Sequence, residues 1–331
     1  MHDDENVANG LVQGFVLDGH GGARELAHET LDQLVLAPQE SLWLHWDRSN
    51  PQAQDWLRNS SGLSEFSCDL LLEENTRPRL LSLPADEMLL FLRGVNLNPG
   101  AEPEDMVSIR VFVDAQRVIS MRLRPLHAVS DVLEQFARGC GPQNASELIL
   151  ALASQLTSKI EPLVMGLTDP VDAEEERIDE DDRYVPDHAS LQHIRRRSAS
   201  LRRFLAPQRD IYAQLASSKR SWFDADACGY WNELNNHLTR YLEELELIRE
   251  RVALILESEH RRMSEQMNRT MYRFGIITGF FLPLSFLTGL LGINVGGIPG
   301  GEWPYAFVLV CVLMGALTFG QWWLFRRLRW L

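Results

Sequence analysis

Cysteine is scarce in this sequence, and the cysteines that occur form no recognisable motif. The 331 residues contain only Cys68, Cys140, Cys228 and Cys311, which are far apart and include no C-x-x-C pair. The chain therefore lacks the patterns of a sulfur-rich zinc site and of a disulfide framework, which indicates that its soluble part faces a reducing cytoplasm. The first residues contain no basic and apolar leader, so no secretory signal peptide is predicted.

Positive charge is also in deficit. Lys and Arg number 32 against 46 Asp and Glu, which gives a formal net charge of -14 at pH 7. This balance argues against a nucleic-acid partner, because binding a polyanion requires a basic surface, and it favours cations. The sequence contains no glycine-rich phosphate loop, nucleophile elbow or H-E-x-x-H motif, so it supports neither an enzymatic function nor a resident cofactor.

Charge is missing altogether from two long runs near the C-terminus. Residues 276–293 and 305–324 are apolar stretches of eighteen and twenty residues without a charged side chain. At about 1.5 Å per residue, each run can cross or nearly cross a hydrocarbon core of about 30 Å. We therefore predict two C-terminal transmembrane helices in a lipid bilayer.

The arrangement of arginines around these runs predicts their orientation. The link between the runs contains neither Lys nor Arg, whereas arginines flank them on the other sides: Arg269, Arg273, Arg326, Arg327 and Arg329. Under the positive-inside rule both termini are cytoplasmic. The predicted segments are transmembrane helix 1 at 276–293, a periplasmic loop at 294–304, transmembrane helix 2 at 305–325 and a basic cytoplasmic tail at 326–331.

Helical periodicity dominates the middle of the chain. From 227 to 275, apolar residues recur every three or four positions on an otherwise charged sequence, which predicts a long stalk helix of coiled-coil character entering the first span. A helical pair is predicted in 144–226, with helices at about 145–180 and 187–222. Because acids precede arginines along this pair, we expect its two helices to attract each other.

Residues 1–143 predict an α/β cytoplasmic domain with a mixed sheet. Short apolar or alternating segments bounded by turn residues are separated by helical patches at 52–58 and 129–138. The predicted strands are 11–17, 41–46, 79–83, 88–95, 107–113 and 117–122.

Small, hydroxyl and apolar residues form a stripe along the first span and the end of the stalk. The candidate pore-lining residues are Asn268, Met271, Phe274, Gly275, Thr278, Leu282, Ser285 and Gly289. Such a stripe fits ordinary helix packing as well as the wall of a narrow channel. Two spans cannot enclose a hydrophilic path, so conduction would require several copies around an axis.

Acidic residues crowd together near the end of the first helix of the helical pair. The cluster comprises Glu174, Glu175, Glu176, Asp179, Glu180, Asp181 and Asp182. It is a candidate cytoplasmic site for divalent metal ions, although a solvated helix face is the more common meaning of such a run.

The end of the first span resembles the CorA superfamily of divalent metal-ion transporters. Gly292, Ile293 and Asn294 stand where that family has a Gly-Met-Asn motif, and they are followed by a G-G-I-P-G loop at 296–300. The isoleucine, this loop and the Leu282-Pro283 pair make the chain similar to the zinc-transporting ZntB branch. The order of domain, stalk, two spans and basic tail agrees with the same family.

The resemblance implies a homopentamer in the bacterial inner membrane that imports Zn²⁺, in this branch with assistance from a proton gradient. It implies that Asn294 rings the outer mouth, and Glu302 is the acidic residue left in the outer loop to attract cations. Because the stripe offers no His, Cys or carboxylate, we expect a partly hydrated ion, with Co²⁺, Ni²⁺ and Cd²⁺ as competitors. The alternatives are a Mg²⁺ or Co²⁺ channel of the same superfamily and a non-conducting membrane-anchored scaffold or receptor.

Overall fold

The computed structural model describes residues 9–26, 31, 34–74, 76–181, 183–224, 226–292 and 303–328. It divides into two compact units, one up to Ile255 and one from Leu256 onward. The first unit contains a sheet and its covering helices. The second contains the rest of one long helix and a final helix.

The sheet of the first unit is mixed, as the sequence predicts. Its seven strands are β1 Leu11–Leu17, β2 Ala23–Glu25, β3 Ser41–Asp47, β4 Arg79–Ser82, β5 Met88–Gly94, β6 Val107–Val113 and β7 Arg117–Arg122. Their order is β2-β1-β3-β7-β6-β5-β4. β3 and β7 run parallel, with Trp43 opposite Val118, whereas every other neighbouring pair in this order is antiparallel.

Eight α-helices follow or interrupt these strands in the described residues. They are α1 Pro51–Asn59, α2 Glu65–Leu72, α3 His127–Ala137, α4 Ala145–Ser158, α5 Glu161–Glu180, α6 His188–Ala216, α7 Ala227–Leu291 and α8 Ala306–Arg327. Local capping explains several starting points: Asn50 accepts from the amide of Gln52 before α1, and Asn144 accepts from that of Glu147 before α4. These bonds satisfy amides that the first helical turn leaves free.

The helices cover both faces of the sheet. One face packs against α1 and α2 in an apolar cluster of Leu11, Leu44, Trp46, Ala53, Leu57, Cys68, Leu71, Leu89, Phe91, Phe112, Ile119 and Met121. Neighbouring residues in a strand point to opposite faces. Trp43 accordingly meets Phe136 of α3 on the other face, with ring centroids 6.1 Å apart, and α4 and α6 also contact the sheet.

Several boundaries differ from those predicted. The helix expected at 145–180 is two helices, which end at Ser158 and begin at Glu161, with Pro162 in the first turn of the second. A proline at that position is compatible with a helix start but removes a donor from a continuing helix. Helix α6 ends at Ala216 and not near 222. The sequence analysis missed β2 and α2, which are only three and eight residues long.

The predicted stalk and first span form one helix. α7 is continuous over 65 residues from Ala227 to Leu291, and Pro283 lies within it. Its apolar residues Leu238, Leu245, Ile248 and Val252 are buried, as their spacing predicts.

A buried histidine makes the first unit sensitive to acid. His45 is fully buried, its Nδ1 lies 2.7 Å from the hydroxyl of Ser120, and burial, with a contribution from Arg122, lowers its pKa to about 3. An unfolded chain would bind a proton near pH 6.5, so stability present at neutral pH is lost as the pH falls through this window. At pH 5 the expected loss is about 2 kcal/mol.

The check is the thermal unfolding of the detergent-solubilised full-length chain at pH 7 and pH 5. His45→Asn cannot gain a proton, so its midpoint should fall less between these pH values than that of the parent. An equal fall in both proteins would show that other groups cause the acid sensitivity.

Gln208 of α6 joins the sheet to the helical layer. Its Oε1 accepts from the amide of Arg93 at 2.7 Å, and its Nε2 donates to the hydroxyl of Tyr212 at 3.1 Å. Gln208 is fully buried, so Gln208→Leu should cost about 1–3 kcal/mol by leaving these groups without their partner. Chemical denaturation of the full-length chain measures the loss. The exposed Gln214→Leu on the same helix should change stability little.

Candidate ion path

All predicted pore-lining residues lie on the exposed surface of α7. Each of the eight, from Asn268 to Gly289, is exposed in the single chain. The apolar members are exposed despite their size: Met271 is 68% exposed, Phe274 65% and Leu282 67%. No other element of the described chain buries these residues, so the stripe has no packing partner there.

Helix α8 contacts the opposite side of α7 within the second unit, through Phe325 against Gly279 and Phe280. The partly buried residues of this stretch are Ile276, Gly279, Phe280, Pro283, Leu284 and Leu287. At about 100° per residue, their mean direction lies roughly 150° around the helix from that of the candidate pore residues. The two sets are therefore separate faces, one used by α8 and one free.

The contact between the two helices depends on a glycine. A Cβ added to Gly279 would lie 2.9 Å from Cζ of Phe325, and the rings of Phe280 and Phe325 have centroids 4.9 Å apart. The sequence analysis did not identify this contact. Small residues are typical of helix interfaces in membranes, but that property does not select Phe325 as the partner.

The polar members of the stripe differ from two threonines of the spans. Thr288 and Thr318 bond to carbonyls one turn earlier, Leu284 and Met314, so their hydroxyls are satisfied within their own helices. Asn268, Thr278 and Ser285 make no side-chain hydrogen bond within the described residues. They are thus available to water or to a hydrated ion, as the sequence analysis expects of polar positions along a path.

The motif at the end of the first span is described only in part. Gly292 is exposed, and its amide donates to the carbonyl of Thr288 at 2.9 Å. Ile293, Asn294 and Glu302 lie outside the described residues. Their roles at the outer mouth stay predictions.

Length and composition mark three helical stretches of the described chain as able to cross a membrane: Ala145–Glu180, Ala227–Leu291 and Ala306–Arg327. The most apolar window of the first is 44% buried inside the protein, whereas those of the other two are not buried at all. The first stretch therefore supplies core helices α4 and α5. The other two agree with the predicted spans.

Aromatic and basic residues mark the end of α8. The guanidinium of Arg326 lies 5.4 Å from the ring centroid of Trp322, and that of Arg327 lies 5.3 Å from Trp323. Tryptophan and arginine are enriched where a span meets the aqueous interface on the cytoplasmic side. This end of the helix is consistent with the predicted orientation.

The structure does not assemble the predicted cytoplasmic metal cluster. Tyr184 donates to Glu174 at 3.0 Å, and Arg251 binds Glu175 at 2.6 Å and Asp172 at 2.5 Å. The bonds to Glu175 and Asp172 raise the pKa of Arg251. No three His, Cys, Asp or Glu side chains converge to hold a metal ion within the described ranges, which include the predicted ligands Glu174, Glu175, Glu176, Asp179, Glu180 and Asp181 but not Asp182.

No ion pair joins α5 to α6 in the described residues, although the two helices are in contact. Acids of α5 instead form ion pairs with arginines of α7 in the described residues. Arg240 lies 3.5 Å from Glu161, and Arg251 contacts Glu175. Arg202 of α6 likewise pairs with Glu246 of α7. The sequence shows which charges share a helix face, but the choice of a partner helix depends on packing.

Comparison with known proteins agrees with this architecture. The model of the CorA-like Mg²⁺ transporter protein family matches residues 38–327. The chain is 63% identical over 322 residues to the divalent cation transporter CmaX of Pseudomonas aeruginosa, covering 97% of both proteins. It is 32% identical to the zinc transport protein ZntB of Yersinia enterocolitica, over 97% of this chain and 96% of that protein.

Solved structures show the same fold along nearly the whole chain. A structure of the full-length CmaX protein matches 97% of this chain and 98% of its own, with a TM-score of 0.86. The complete CorA magnesium transporter from Methanocaldococcus jannaschii matches 96% of this chain and 98% of its own with a TM-score of 0.75, at 16% identity. The family model matches most of the chain, and the chain is 63% identical to CmaX and 32% identical to ZntB. The chain therefore belongs to the CorA-like Mg²⁺ transporter family.

Proposed function

We propose that several copies of this chain surround a pore that conducts divalent cations across the bacterial inner membrane, with Zn²⁺ as the imported ion. One observation carries the proposal: a stripe of small, polar and apolar residues on α7 is exposed on the face that α8 does not cover. A homopentamer, the assembly implied by the family resemblance, would turn five such stripes toward a common axis.

Both relatives support a divalent cation as the transported ion, and the name of one of them specifies zinc. CmaX is named a divalent cation transporter, and ZntB a zinc transport protein. The Gly292-Ile293-Asn294 sequence and the glycine-rich loop after it are similar to the ZntB branch. Zn²⁺ is therefore the proposed physiological ion, and Co²⁺, Ni²⁺ and Cd²⁺ are proposed competitors.

The chemistry of the stripe favours an ion that keeps part of its water shell. Removing all water from Zn²⁺ requires ligands such as imidazole, thiolate or carboxylate at about 2.0–2.3 Å. The stripe from Asn268 to Gly289 contains amide, hydroxyl and apolar groups instead. Asn268, Thr278 and Ser285 would contact the hydrated ion, and Met271, Phe274 and Leu282 would form apolar constrictions.

The membrane potential is sufficient to favour entry. A potential of 100 mV, negative inside, contributes about 2.3 kcal/mol per charge, or about 4.6 kcal/mol for a divalent ion. Protons would need titratable groups along the path to be carried with the metal, and the stripe has none. Any stimulation by protons should thus act indirectly. Glu302, in the outer loop, would attract cations to the entrance.

The test uses the full-length chain in liposomes that contain a zinc-sensitive dye. We expect zinc influx driven by an inside-negative potential, weak competition by Mg²⁺, and a pentamer by native mass spectrometry. Stronger transport of Mg²⁺ than of Zn²⁺ would favour the magnesium channel, and no flux of any divalent ion would favour a scaffold or receptor. Flux that does not respond to pH on either side would exclude stimulation by protons.

A further inference from the structure

The turn between β4 and β5 has an unusual backbone. Ala85 and Asp86 have φ values of 58° and 63°, and they are the non-glycine residues with positive φ in the described chain. This left-handed conformation is unfavourable for residues with a Cβ and persists only where surrounding contacts fix it. The contacts around this turn must therefore stabilise its left-handed backbone.

The turn is bound to the segment that follows α6. The Asp86 carboxylate accepts from the amide and the hydroxyl of Ser221 at 2.9 and 2.8 Å, and from Arg220 at 3.2 Å. Trp222 Nε1 donates to the Asp86 carbonyl at 2.8 Å, and Arg220 also donates to Ser82 at 2.8 Å. We name these contacts, between residues 82–86 and 220–222, the Asp86 clasp.

The clasp lies immediately before α7. Ala227, the first residue of α7, donates to the carbonyl of Asp224, whose own amide donates to Ser146 of α4 at 3.2 Å. One turn into α7, the buried Trp231 stacks with Phe223 at a centroid distance of 6.3 Å. A short, bonded segment thus joins the sheet edge to the start of the helix that carries the candidate pore residues.

We propose that Asp86 is a positioning residue for transport, which sets where α7 begins relative to the sheet and so affects conduction through the stripe on that helix. The proposal rests on the proposed function. An ordinary loop anchor would need neither the left-handed backbone nor a carboxylate that binds three donors at once. The strained turn instead aims Asp86 at the amide, hydroxyl and guanidinium that precede α7.

Asp86→Ala in the full-length chain, assayed by zinc influx into the dye-containing proteoliposomes, tests this role. We expect flux to fall by roughly threefold or more. Asp86→Asn keeps one acceptor oxygen for Ser221 but loses the one for Arg220, and it should retain more flux than Asp86→Ala. Leu57→Ala is the control, because it destabilises the same unit from the buried cluster between α1 and the sheet, away from the clasp and from Trp231. If the flux of the two variants falls equally at equal loss of thermal stability, Asp86 is only structural.

A second measurement does not depend on transport. Spin labels at the exposed positions Asn59 of α1 and Glu233 of α7 report the distance between the sheet layer and the start of α7. Asp86→Ala should broaden this distance distribution, and Gln214→Leu should leave it unchanged. This measurement requires no metal transport, so it separates a failure of this proposal from a failure of the proposed function. An unchanged distance distribution in Asp86→Ala overturns the positioning role of Asp86, whether or not the parent protein conducts metal.

Discussion

Asn294→Ala is expected to abolish zinc flux in proteoliposomes. If several copies of Asn294 ring the outer mouth, their amide oxygens accept from the water molecules around an incoming cation. Neutral hydrogen bonds contribute about 0.5–1.5 kcal/mol each, so losing one from every copy in the ring should reduce flux by at least about tenfold. Alanine removes every one of these acceptors at once, so the losses from the separate copies add together.

The control for this experiment is another exposed carboxamide. Asn59→Ala on α1 removes a side chain that bonds only to Asp55 of the same helix, and its flux should equal that of the parent. Native mass spectrometry should find the same number of copies in both variants. A parent-like flux in Asn294→Ala would contradict the proposed pore and would favour a non-conducting scaffold.

Thr278→Trp is expected to reduce flux to the level of liposomes without protein. Thr278 lies near the centre of the exposed stripe on α7. In a ring of copies, one indole from each chain would enter the same narrow path and exclude water and ions from it. The effect should be large because every copy contributes the obstruction.

The neighbouring Ile277→Trp provides the matched comparison. Ile277 is 51% exposed, but it lies about 100° around the helix from Thr278 and belongs neither to the stripe nor to the face covered by α8. Its flux should stay close to that of the parent, with the same copy number in both variants. Equal inhibition by the two tryptophans would mean that the stripe does not face the path.

Local sequence patterns predicted most elements of the fold. The alternation in Val107–Val113 and Arg117–Arg122 gave the bounds of β6 and β7, because a strand with buried faces requires apolar residues at fixed intervals. The absence of prolines and the regular apolar spacing before residue 276 predicted that the stalk enters the first span as one helix. The break between Ser158 and Glu161 was missed, because the apolar spacing continues across it through Leu156, Ile160 and Val164, although Pro162 is typical of the first turn of a new helix.

The candidate site was predictable in its periodicity but not in its surroundings. The 3-4 spacing from Asn268 to Gly289 places these residues on one face of any helix, whatever packs around it. The acidic cluster near Glu174 suggested a metal site because charge density is visible in a sequence. The ion pair between Glu175 and Arg251 is not visible in the sequence, because Arg251 lies 76 residues further along the chain.

The sequence by itself determined the two charge-free spans, the long helix that leads to them and six of the seven strands of the sheet. The spans follow from the free-energy cost of placing a charged side chain in a bilayer. The helix and the strands follow from the different spacing at which each of these structures places apolar residues on one face. Only the tertiary structure decided that β3 lies beside β7, that Phe325 packs on Gly279 and that Asp86 binds the segment before α7. Each of these contacts joins residues that are far apart in the sequence. The periodicity of a helix or strand shows which residues share a face, but it does not show which other element packs against that face.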